Sequence, residues 1–405
     1  RLFQEVAALG PDTNGVSRPA WSATETAALD HLSELAQAEG LAVWADALDN
    51  RWFSLPEDRG TAPYSLIGSH VDTVPDGGNY DGLAGVIAGL LCLIHMRRAG
   101  RRFARPVRVL AMRGEESAWF GPCYTASKGL TGRLSAGDLA SPHKGDGRSL
   151  AAHMEALGID TAPLHAGQPL IALDEIAEYI EAHIEQGPLL TGAGQPVAVV
   201  TGIRGNLRLR EIVARGEAGH SGAVPRAYRH DPVMATARLL ARMEDRWIEA
   251  EAAGADLVMT TGMIGTDPAH HAMARIPGSL RFSFEIRSQS PETLERMEAA
   301  LQDEIAALSE ERGVRFDLPG PIRNAPATLP AGLAAAMSRA MERAGLEPFR
   351  MPSGGGHDAA IFAQAGVPAG MLFIRSTGGS HNPAEAMEID DLADTVQVLL
   401  AHLSP

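Results

Sequence analysis

Residues 68–82 read GSHVDTVPDGGNYDG, and the rest of the chain is organised around them. The apolar pair at 66–67 predicts a buried strand that ends near His70, and Asp81 precedes a long apolar stretch with helical character. Histidine and carboxylate are the ligand types that zinc and similar divalent ions prefer. Asp72 lies on the same side of an extended backbone as His70, where it can hold the second imidazole nitrogen. The alternative interpretation is a strand-end histidine and an aspartate that caps a helix, with no metal.

The composition is that of a globular protein without a nucleic-acid footprint. The chain has 405 residues, enough for two or three domains, with 45% hydrophobic and 21% charged residues. A net charge of −15 is unlike that of a protein that binds nucleic acid. No apolar run has the length of a transmembrane helix, and the N-terminal residues lack the hydrophobic region of a signal peptide. Two cysteines, Cys92 and Cys123, make no disulfide framework, so we expect a cytoplasmic protein.

The first part of the chain alternates strands and helices as an α/β fold does. Ser22 and Glu25 have the spacing of a capping box and predict the start of a helix. Residues 107–112 form an apolar run with one arginine, typical of a buried parallel strand, and lead into RGEESAWF at 113–120. In such folds the functional groups gather at the carboxyl ends of the strands, and the polar residues of 113–120 lie at such an end.

Two further segments complete this part. Residues 121–175 are rich in glycine, alanine and serine, and we find little chemistry in them. The stretch EAHIEQGPLL at 181–190 instead places His183 and Gln186 together, just before a Gly-Pro break.

The sequence pattern changes after residue 203. Between 204 and 320 it predicts the order strand, helix, strand, strand, helix, strand, which is the ferredoxin-like split motif. The α/β pattern then resumes, with SGGGHDAA at 353–360 and GGSHNPAE at 378–385. We therefore predict a mostly parallel α/β catalytic domain, residues 1–203 and 321–405, and an inserted α+β domain, residues 204–320.

The chemistry of the chain lies in polar residues that follow strands or open helices. Six of them are far apart in sequence: His70, Asp81, Glu115, Glu116, His183 and His381. Five can complete a site for two divalent ions if one carboxylate bridges, and two such ions can share a hydroxide and polarise a carbonyl. Three histidines and two carboxylates as ligands leave one carboxylate free for proton transfer. The pair Glu115-Glu116 fits that division, because neighbours on an extended loop point opposite ways. A solvated surface is the alternative for a Glu-Glu pair.

Six motifs occur in one order over nearly the whole chain: GSHVDTVPDGGNYDG, GEES at 114–117, HIEQG at 183–187, GEAGHSGAVP at 216–225, SGGGHDAA and GGSHNPAE. In this set the chain resembles the zinc-dependent N-carbamoyl-L-amino-acid amidohydrolases, and equally the β-ureidopropionases and allantoate amidohydrolases. These belong to the wider superfamily of dinuclear aminoacylases and carboxypeptidases. The first and third motifs resemble the ureido-hydrolysing branch in particular.

The resemblance implies a role for each matching residue. The ligands that it implies for two divalent ions per chain, zinc, manganese, cobalt or nickel, are His70, Asp81, Glu116, His183 and His381, with Asp81 as the bridge. Glu115 would be the general base, and Asp72 the partner of His70.

Substrate contacts are implied as well, for Gln186, His220, Arg287 and His357. His220 would stabilise the oxyanion, and Arg287 would pair with a substrate carboxylate, for which a guanidinium offers a bidentate fork. The family fold places both on the inserted domain, a lid that also makes the homodimer. From the residues alone, Arg287 could be a solvated strand residue, His220 a turn residue and His357 the start of a helix. Ala274 stands where the family usually has asparagine, so substrate identity stays open.

The sequence thus predicts a metal-dependent amidohydrolase of linear C–N bonds. The favoured substrate is an N-carbamoyl (ureido) amino acid or a related ureido acid, whose carbonyl is attacked by a hydroxide between the ions. One alternative is an aminoacylase or dipeptidase that acts on N-acyl amino acids or short peptides. Another is a binding protein that has lost the chemistry, against which the intact Glu115-Glu116 pair and the complete ligand set argue.

Overall fold

The computed structural model describes residues 1–404. Its helices are α1 (Leu2–Ala7), α2 (Ala23–Ala38), α3 (Leu83–Ala99), α4 (Thr125–Leu130), α5 (Ala136–Leu139), α6 (Leu150–Ala156), α7 (Leu189–Ala193), α8 (Pro232–Ala252), α9 (Pro291–Arg312), α10 (Ala331–Arg343), α11 (Asp358–Gln364) and α12 (Ile389–Leu403). Short 3-10 turns lie at Pro56–Asp58, Ala162–Ala166, Leu173–Glu175, Arg226–Tyr228 and Pro268–His270.

The strands of the same residues are β1 (Ala42–Ala45), β2 (Arg51–Ser54), β3 (Tyr64–His70), β4 (Val107–Met112), β5 (Ile176–Ile184), β6 (Val197–Ile203), β7 (Gly205–Arg215), β8 (Gly219–His220), β9 (Val258–Thr260), β10 (Ile264–Gly265), β11 (Arg275–Ile276), β12 (Ser279–Ser288), β13 (Arg315–Asp317), β14 (Ile322–Asn324), β15 (Ala327–Thr328), β16 (Arg350–Ser353), β17 (Ala369–Ile374), β18 (Ser376–Thr377) and β19 (Ala386–Met387).

The chain divides into two compact units. The first contains residues 1–201, 328–353 and 357 onward, and the second contains residues 202–327 with 354–356. The residues predicted as an inserted domain, 204–320, fall within the second unit.

The first unit is built on a mixed sheet whose centre is parallel. Its strands run in the order β1, β2, β4, β3, β5, β17, β6. Strands β4, β3, β5 and β17 are parallel neighbours, and β1, β2 and β6 pair antiparallel at the sides. The predicted α/β class with a mostly parallel sheet is therefore confirmed.

Helices cover both faces of this sheet. On β5, Ile180 and Ala182 belong to the core formed with α2, α3, α10 and α12. Tyr179, one position earlier and so on the opposite face, stacks on Phe362 of α11, with ring centroids 4.2 Å apart. Because helices cover both faces, β3, β4 and β17 are buried along their whole length, as the run at 107–112 predicted for β4.

Two helix starts differ from the sequence expectation. Ser22 accepts the backbone N–H of Glu25 at 3.3 Å, but the Glu25 carboxylate does not complete a capping box, because it accepts the backbone N–H groups of Trp21 and Gly114 instead. Asp81 does not cap α3, because the cap residue is Gly82, at φ +65° and without a side-chain hydrogen bond. The interpretation of Asp81 as a helix cap was therefore wrong.

The second unit is an antiparallel sheet with two helices. Strand β12 pairs with β7 and β9, and β13 pairs with β7, which gives the order β13, β7, β12, β9. Numbered within the unit, this is the order fourth, first, third, second, which β-α-β-β-α-β connectivity produces in a ferredoxin-like domain. Apolar residues of α8 and α9 share one core with the strands. Along β12, buried residues alternate with more exposed ones, so one face of the strand packs on the core.

No helix among residues 1–404 combines the length and the hydrophobicity that a membrane span requires.

Candidate metal centre

The carboxyl ends of the central strands bring the predicted ligands together. Two groups of three residues each place their ligand atoms within 4.8 Å of one another. The first is His70, Asp81 and His183, and the second is Asp81, Glu116 and His381. His70 ends β3 and His183 lies near the end of β5, so parallel neighbours in the sheet deliver both imidazoles to one edge.

Asp81 faces both groups, with one oxygen toward each. Its Oδ1 lies 2.9 Å from His183 Nε2 and 3.5 Å from His70 Nε2, and its Oδ2 lies 3.3 Å from His381 Nε2. Glu116 Oε1 completes the second group at 3.1 Å from His381 Nε2. A carboxylate that is shared in this way has the geometry of a bridging ligand.

The tautomers of the two buried histidines suit metal binding. His70 Nδ1 lies 3.1 Å from the carbonyl oxygen of Asp72, and His183 Nδ1 lies 2.8 Å from that of Ile184. A carbonyl oxygen only accepts hydrogen bonds, so each Nδ1 carries a proton and each Nε2 can present a lone pair to a metal near Asp81. Nitrogen and carboxylate donors with main-chain partners behind them fit zinc and similar divalent ions.

Gly82 is required by the same geometry. Its φ of +65° is one that residues with side chains rarely adopt, and a Cβ there would lie 2.5 Å from the His70 ring. The glycine therefore lets the backbone after Asp81 pass against the imidazole.

Asp72 connects this strand end with the neighbouring one. Its Oδ1 accepts the backbone N–H of Glu115 and its Oδ2 accepts that of Glu116, both at 3.0 Å. The carboxylate is also 3.4 Å from His70 Nδ1, which is farther than the Asp72 carbonyl oxygen. The sequence predicted the histidine contact, whereas the stronger hydrogen bonds of this carboxylate go to the glutamate loop.

The site concentrates buried carboxylates, and their pKa values reflect it. Burial opposes the charge of His70, yet Glu115 and hydrogen bonds to Asp72 and Asp81 raise the pKa of this imidazole well above its usual 6.5. Burial alone would raise the pKa of Asp81, but His183 holds it well below 3.8. The pKa of Glu115 lies well above 4.5 because burial, aided by the charge of Glu116, disfavours its ionised form. Positive charge would therefore stabilise this cluster of carboxylates, and a metal ion held by these residues would supply it.

Glu115 differs from Glu116 in what it faces. Its Oε2 is 4.0 Å from His70 Nε2, and it belongs to neither group of ligand atoms. A buried carboxylate with a raised pKa beside the ligands is suited to accept and return a proton.

Two residues that the sequence did not single out hold the Asp81 loop. Glu385 Oε1 accepts the backbone N–H groups of Tyr80 and Asp81 at 2.8 and 3.1 Å. Ser380 Oγ lies 2.8 Å from Asp81 Oδ2 and 2.7 Å from Glu385 Oε2. Both belong to the motif GGSHNPAE, and this motif was the only feature of the sequence that could have drawn attention to them. It does not tell which groups their side chains contact.

Gln186 and His357, predicted to contact substrate, lie beside the ligands. Gln186 Nε2 donates to Asp81 Oδ2 at 2.8 Å, and the backbone of Gln186 has a positive φ of 63°. The His357 ring lies 4.5 Å from the His183 ring, and its Nε2 is 2.9 Å from Ser353 Oγ. Burial, followed by the charge of His183, lowers the pKa of His357 well below 6.5, so its imidazole is neutral.

His220 and Arg287, also predicted to contact substrate, belong to the second unit. His220 is exposed and ends β8, where it pairs with Arg275 of β11. Arg287 lies on β12 and donates to the carbonyl oxygen of Gly354 at 2.7 Å and to Glu285 at 3.1 Å.

Comparison with known proteins places the chain in a family. Residues 66–404 match the family described as peptidase family M20/M25/M40. This chain belongs to that family. The M20 family is metal-dependent, and this M20 chain has groups that can hold metal ions.

Named relatives of this M20 chain cover nearly its whole length. An N-carbamoyl-L-amino acid amidohydrolase of Geobacillus stearothermophilus is 33% identical over 409 residues, covering 98% of this chain and 96% of that protein. An allantoate amidohydrolase of Escherichia coli strain K12 is 33% identical over 363 residues, covering 89% and 86%. The family recognised in the sequence is confirmed.

Solved structures agree with this assignment. An amidase of the hydantoinase/carbamoylase family from Burkholderia multivorans has a TM-score of 0.88 and 27% identity, and covers 99% of this chain and 95% of that chain. Another from Burkholderia ambifaria has a TM-score of 0.86 and 30% identity, and covers 99% and 94%.

Proposed function

We propose that this protein hydrolyses the linear C–N bond of an N-carbamoyl (ureido) amino acid or a related ureido acid. The observation that carries the proposal is the shared carboxylate of Asp81, which faces two histidine-containing groups while Glu115 stays outside both. The names of the relatives, N-carbamoyl-L-amino acid and allantoate amidohydrolases, support the ureido class of substrate.

The proposed cofactor is a pair of divalent ions per chain, zinc, manganese, cobalt or nickel. The residues that would hold it are His70, Asp81, Glu116, His183 and His381. When bound, such ions lower the pKa of water and polarise a carbonyl oxygen.

Glu115 is the proposed general base. It takes the proton of the attacking water and returns it to the nitrogen that leaves, and its raised pKa favours this exchange near neutral pH. Asp72 positions it by holding its backbone N–H at 3.0 Å. Gln186 and neutral His357 belong to the first unit and lie beside Asp81 and His183, where they orient the substrate by hydrogen bonds.

Two residues of the second unit have proposed roles in binding. His220 stabilises the oxyanion that develops on the attacked carbonyl, and Arg287 pairs with the substrate carboxylate. These roles rest on the match of both residues to positions that face the substrate in the family.

The second unit is also the proposed lid and homodimer interface. Its surface exposes apolar side chains on or near edge strands, with Met263 63%, Ile264 55% and Met273 fully exposed. Exposed apolar residues at a sheet edge favour pairing with a second copy. A cytoplasmic location stays a prediction, and it is compatible with Cys92 and Cys123, neither of which forms a disulfide.

A substrate panel tests the proposal. The metal-loaded enzyme is assayed with N-carbamoyl, N-formyl and N-acetyl amino acids, dipeptides and allantoate, with Glu115→Gln as the control for contaminating activity. We expect turnover of N-carbamoyl amino acids or allantoate, and loss of that turnover in the control. Preferred cleavage of N-acetyl amino acids or dipeptides would identify an aminoacylase or dipeptidase instead, and no cleavage of any compound would refute the hydrolase assignment.

A further inference from the structure

A second type of metal-ligand cluster lies in the segment where the sequence showed little chemistry. His143, Asp146 and His153 each offer one ligand atom, and these atoms lie within 4.8 Å of one another. Asp146 Oδ1 is 3.3 Å from His143 Nδ1 and 3.2 Å from His153 Nε2. The carboxylate therefore stands between two imidazoles, a donor set that matches borderline transition metals.

Local backbone structure positions these residues. Two backbone hydrogen bonds close the turn that carries His143. The His143 N–H donates to the Arg148 carbonyl at 2.7 Å, and the Gly147 N–H donates to the His143 carbonyl at 2.9 Å. His153 lies in α6, which Ser149 caps by accepting the N–H of Ala152. The N–H of Leu150, the first residue of α6, donates to the Ser141 carbonyl at 2.9 Å, so the backbone joins the turn to the helix. The two imidazoles lie at a centroid distance of 4.8 Å.

The tautomer of His143 suits a ligand. Its Nδ1 accepts the backbone N–H groups of Gly145 and Asp146 at 3.2 and 3.3 Å. A donor pairs only with a lone pair, so this Nδ1 carries no proton. Both hydrogen bonds are at the long end of the usual range, and an ion that takes the lone pair replaces weak interactions.

Aromatic packing orients both imidazoles and leaves the carboxylate open. The ring of Phe120 lies 5.0 Å from those of His143 and His153, and Trp119 stacks on His143 with an interplanar angle of 6°. The histidine side chains are each 16% exposed, whereas that of Asp146 is 45% exposed. An ion can therefore enter from the side of Asp146, and water can fill its remaining coordination positions.

We propose that His143, Asp146 and His153 form a binding site for a single divalent transition-metal ion, distinct from the centre at Asp81. Two imidazoles and one carboxylate favour zinc, nickel, cobalt or copper over magnesium and calcium, which prefer oxygen ligands throughout. The positive charges of Lys144 and Arg148 lie on the same turn and weaken cation binding. The site therefore fills after the Asp81 centre.

This site is connected to the loop that follows β4. The indole N–H of Trp119 donates to the carbonyl of Thr73 at 2.7 Å, and the carbonyl of Trp119 accepts the N–H of Lys144 at 2.8 Å. Thr73 follows Asp72 directly, and Trp119 lies three residues after Glu116. Metal binding at His143 therefore stabilises a turn that is hydrogen-bonded to the loops of the Asp81 centre.

Nickel titration of the full chain, loaded beforehand with no more than two zinc ions per chain so that only the Asp81 centre is filled, tests the site. Equilibrium dialysis with elemental analysis of both metals should find one further nickel per chain, with the zinc retained. His143→Ala and His153→Ala should each lower the nickel affinity at least about tenfold. Loss of a residue that only hydrogen-bonds a metal ligand already lowers metal affinity by about 10–100-fold. Asp146→Asn keeps the side-chain volume at an exposed position and should weaken nickel binding without unfolding the chain.

His165→Ala is the matched control, because His165 is an exposed histidine of the same segment outside the cluster. It should bind nickel as the wild type does. Nickel should also raise the unfolding temperature of the wild type and of this control but not of the three cluster variants. Absence of a further nickel in the wild type, or equal binding by the control and all cluster variants, would overturn the site.

Discussion

The carboxylate of Asp72 accepts the backbone N–H of Glu116 at 3.0 Å through Oδ2, while its Oδ1 holds the preceding N–H in the same way. Asp72 is fully buried, so these charge-assisted hydrogen bonds have little competition from water. The backbone of the glutamate pair is therefore fixed by one residue of the neighbouring strand end. The different roles proposed for Glu115 and Glu116 then follow from the directions of their side chains.

Glu115→Gln should separate proton transfer from metal binding. The amide keeps the size of the side chain but cannot accept the proton, so turnover should fall by about 10²–10⁴-fold. Metal content should stay at the wild-type level, because Glu115 belongs to neither group of ligand atoms. Turnover and metal per chain are measured on the same preparation.

Glu116→Gln is the matched control and should lose metal instead, since an amide is a poorer ligand than a carboxylate for a divalent ion. If Glu115→Gln loses metal and Glu116→Gln keeps it, the two roles are exchanged. If both keep metal and full turnover, the base lies elsewhere.

Asp72→Asn should lower turnover with little change in substrate affinity. Asparagine has one acceptor oxygen, so its NH₂ group faces one of the two backbone N–H groups that the carboxylate now accepts. Loss of one buried hydrogen bond costs about 1–3 kcal/mol and displaces the loop of Glu115. Steady-state kinetics and thermal unfolding measure both effects.

Asp160→Asn is the control for Asp72→Asn, because Asp160 also accepts a backbone N–H, that of Ala162 at 2.9 Å, but on the surface. It should leave turnover unchanged. Equal kinetics for Asp72→Asn and Asp160→Asn would contradict the positioning role of Asp72.

Metal affinity should increase with pH. Hydrogen bonds to Asp81 and Glu116 raise the pKa of His381 to about 10. In the metal-free protein this imidazole therefore keeps its proton between pH 6.5 and about 10, where an ordinary histidine would have released it. An ion must displace that proton, so apparent affinity rises about tenfold per pH unit for each proton displaced. Calorimetry in buffers of different ionisation enthalpy counts the protons.

His381→Ala should release about one proton fewer than the wild type, whereas His95→Ala, at an exposed position of α3, should release the same number. An unchanged proton count for His381→Ala would show that this imidazole is not a ligand.

Chelation should remove activity reversibly. Dialysis against a chelator followed by addition of zinc or manganese should abolish and then restore turnover, because buried carboxylates lose the cations that compensate them. The unfolding temperature should fall with the metal, since a ligand at 100 times its Kd stabilises the folded state by about 2.7 kcal/mol. A metal-free protein with full turnover would refute the metal centre.

The second unit should mediate dimerisation. Ile264→Lys places a charge on β10 at a position that is 55% exposed in the single chain, and burial of that charge should raise the dimer Kd at least about tenfold. Ile248→Lys is the control, at a 59% exposed position of α8 in the same unit. Light scattering on a concentration series measures both. A wild type that is monomeric at micromolar concentration, or equal effects of the two substitutions, would contradict this interface.

Local patterns were sufficient to predict β3, β4 and the candidate ligands at their ends. The apolar pair at 66–67 predicted β3, and the apolar run with one arginine at 107–112 predicted β4, because strands buried between helices have no solvent-exposed face. His70 ends β3, and the Glu115-Glu116 pair comes shortly after β4, so the α/β pattern alone predicted their position at the carboxyl edge. The ferredoxin-like order of the second unit was likewise predicted from the order of strand-like and helix-like patterns of apolar residues between 204 and 320.

Tertiary structure alone decided which side chains hold the site. Asp72 meets the N–H groups of Glu115 and Glu116 across 43 and 44 residues of sequence, and Glu385 meets that of Asp81 across 304. Glu25 matched a local capping box but bonds Gly114, 89 residues away, because a buried carboxylate takes the donors that packing brings to it. Such partners are selected by the pairing of distant strands, and the residue types in a short motif carry no information about that pairing.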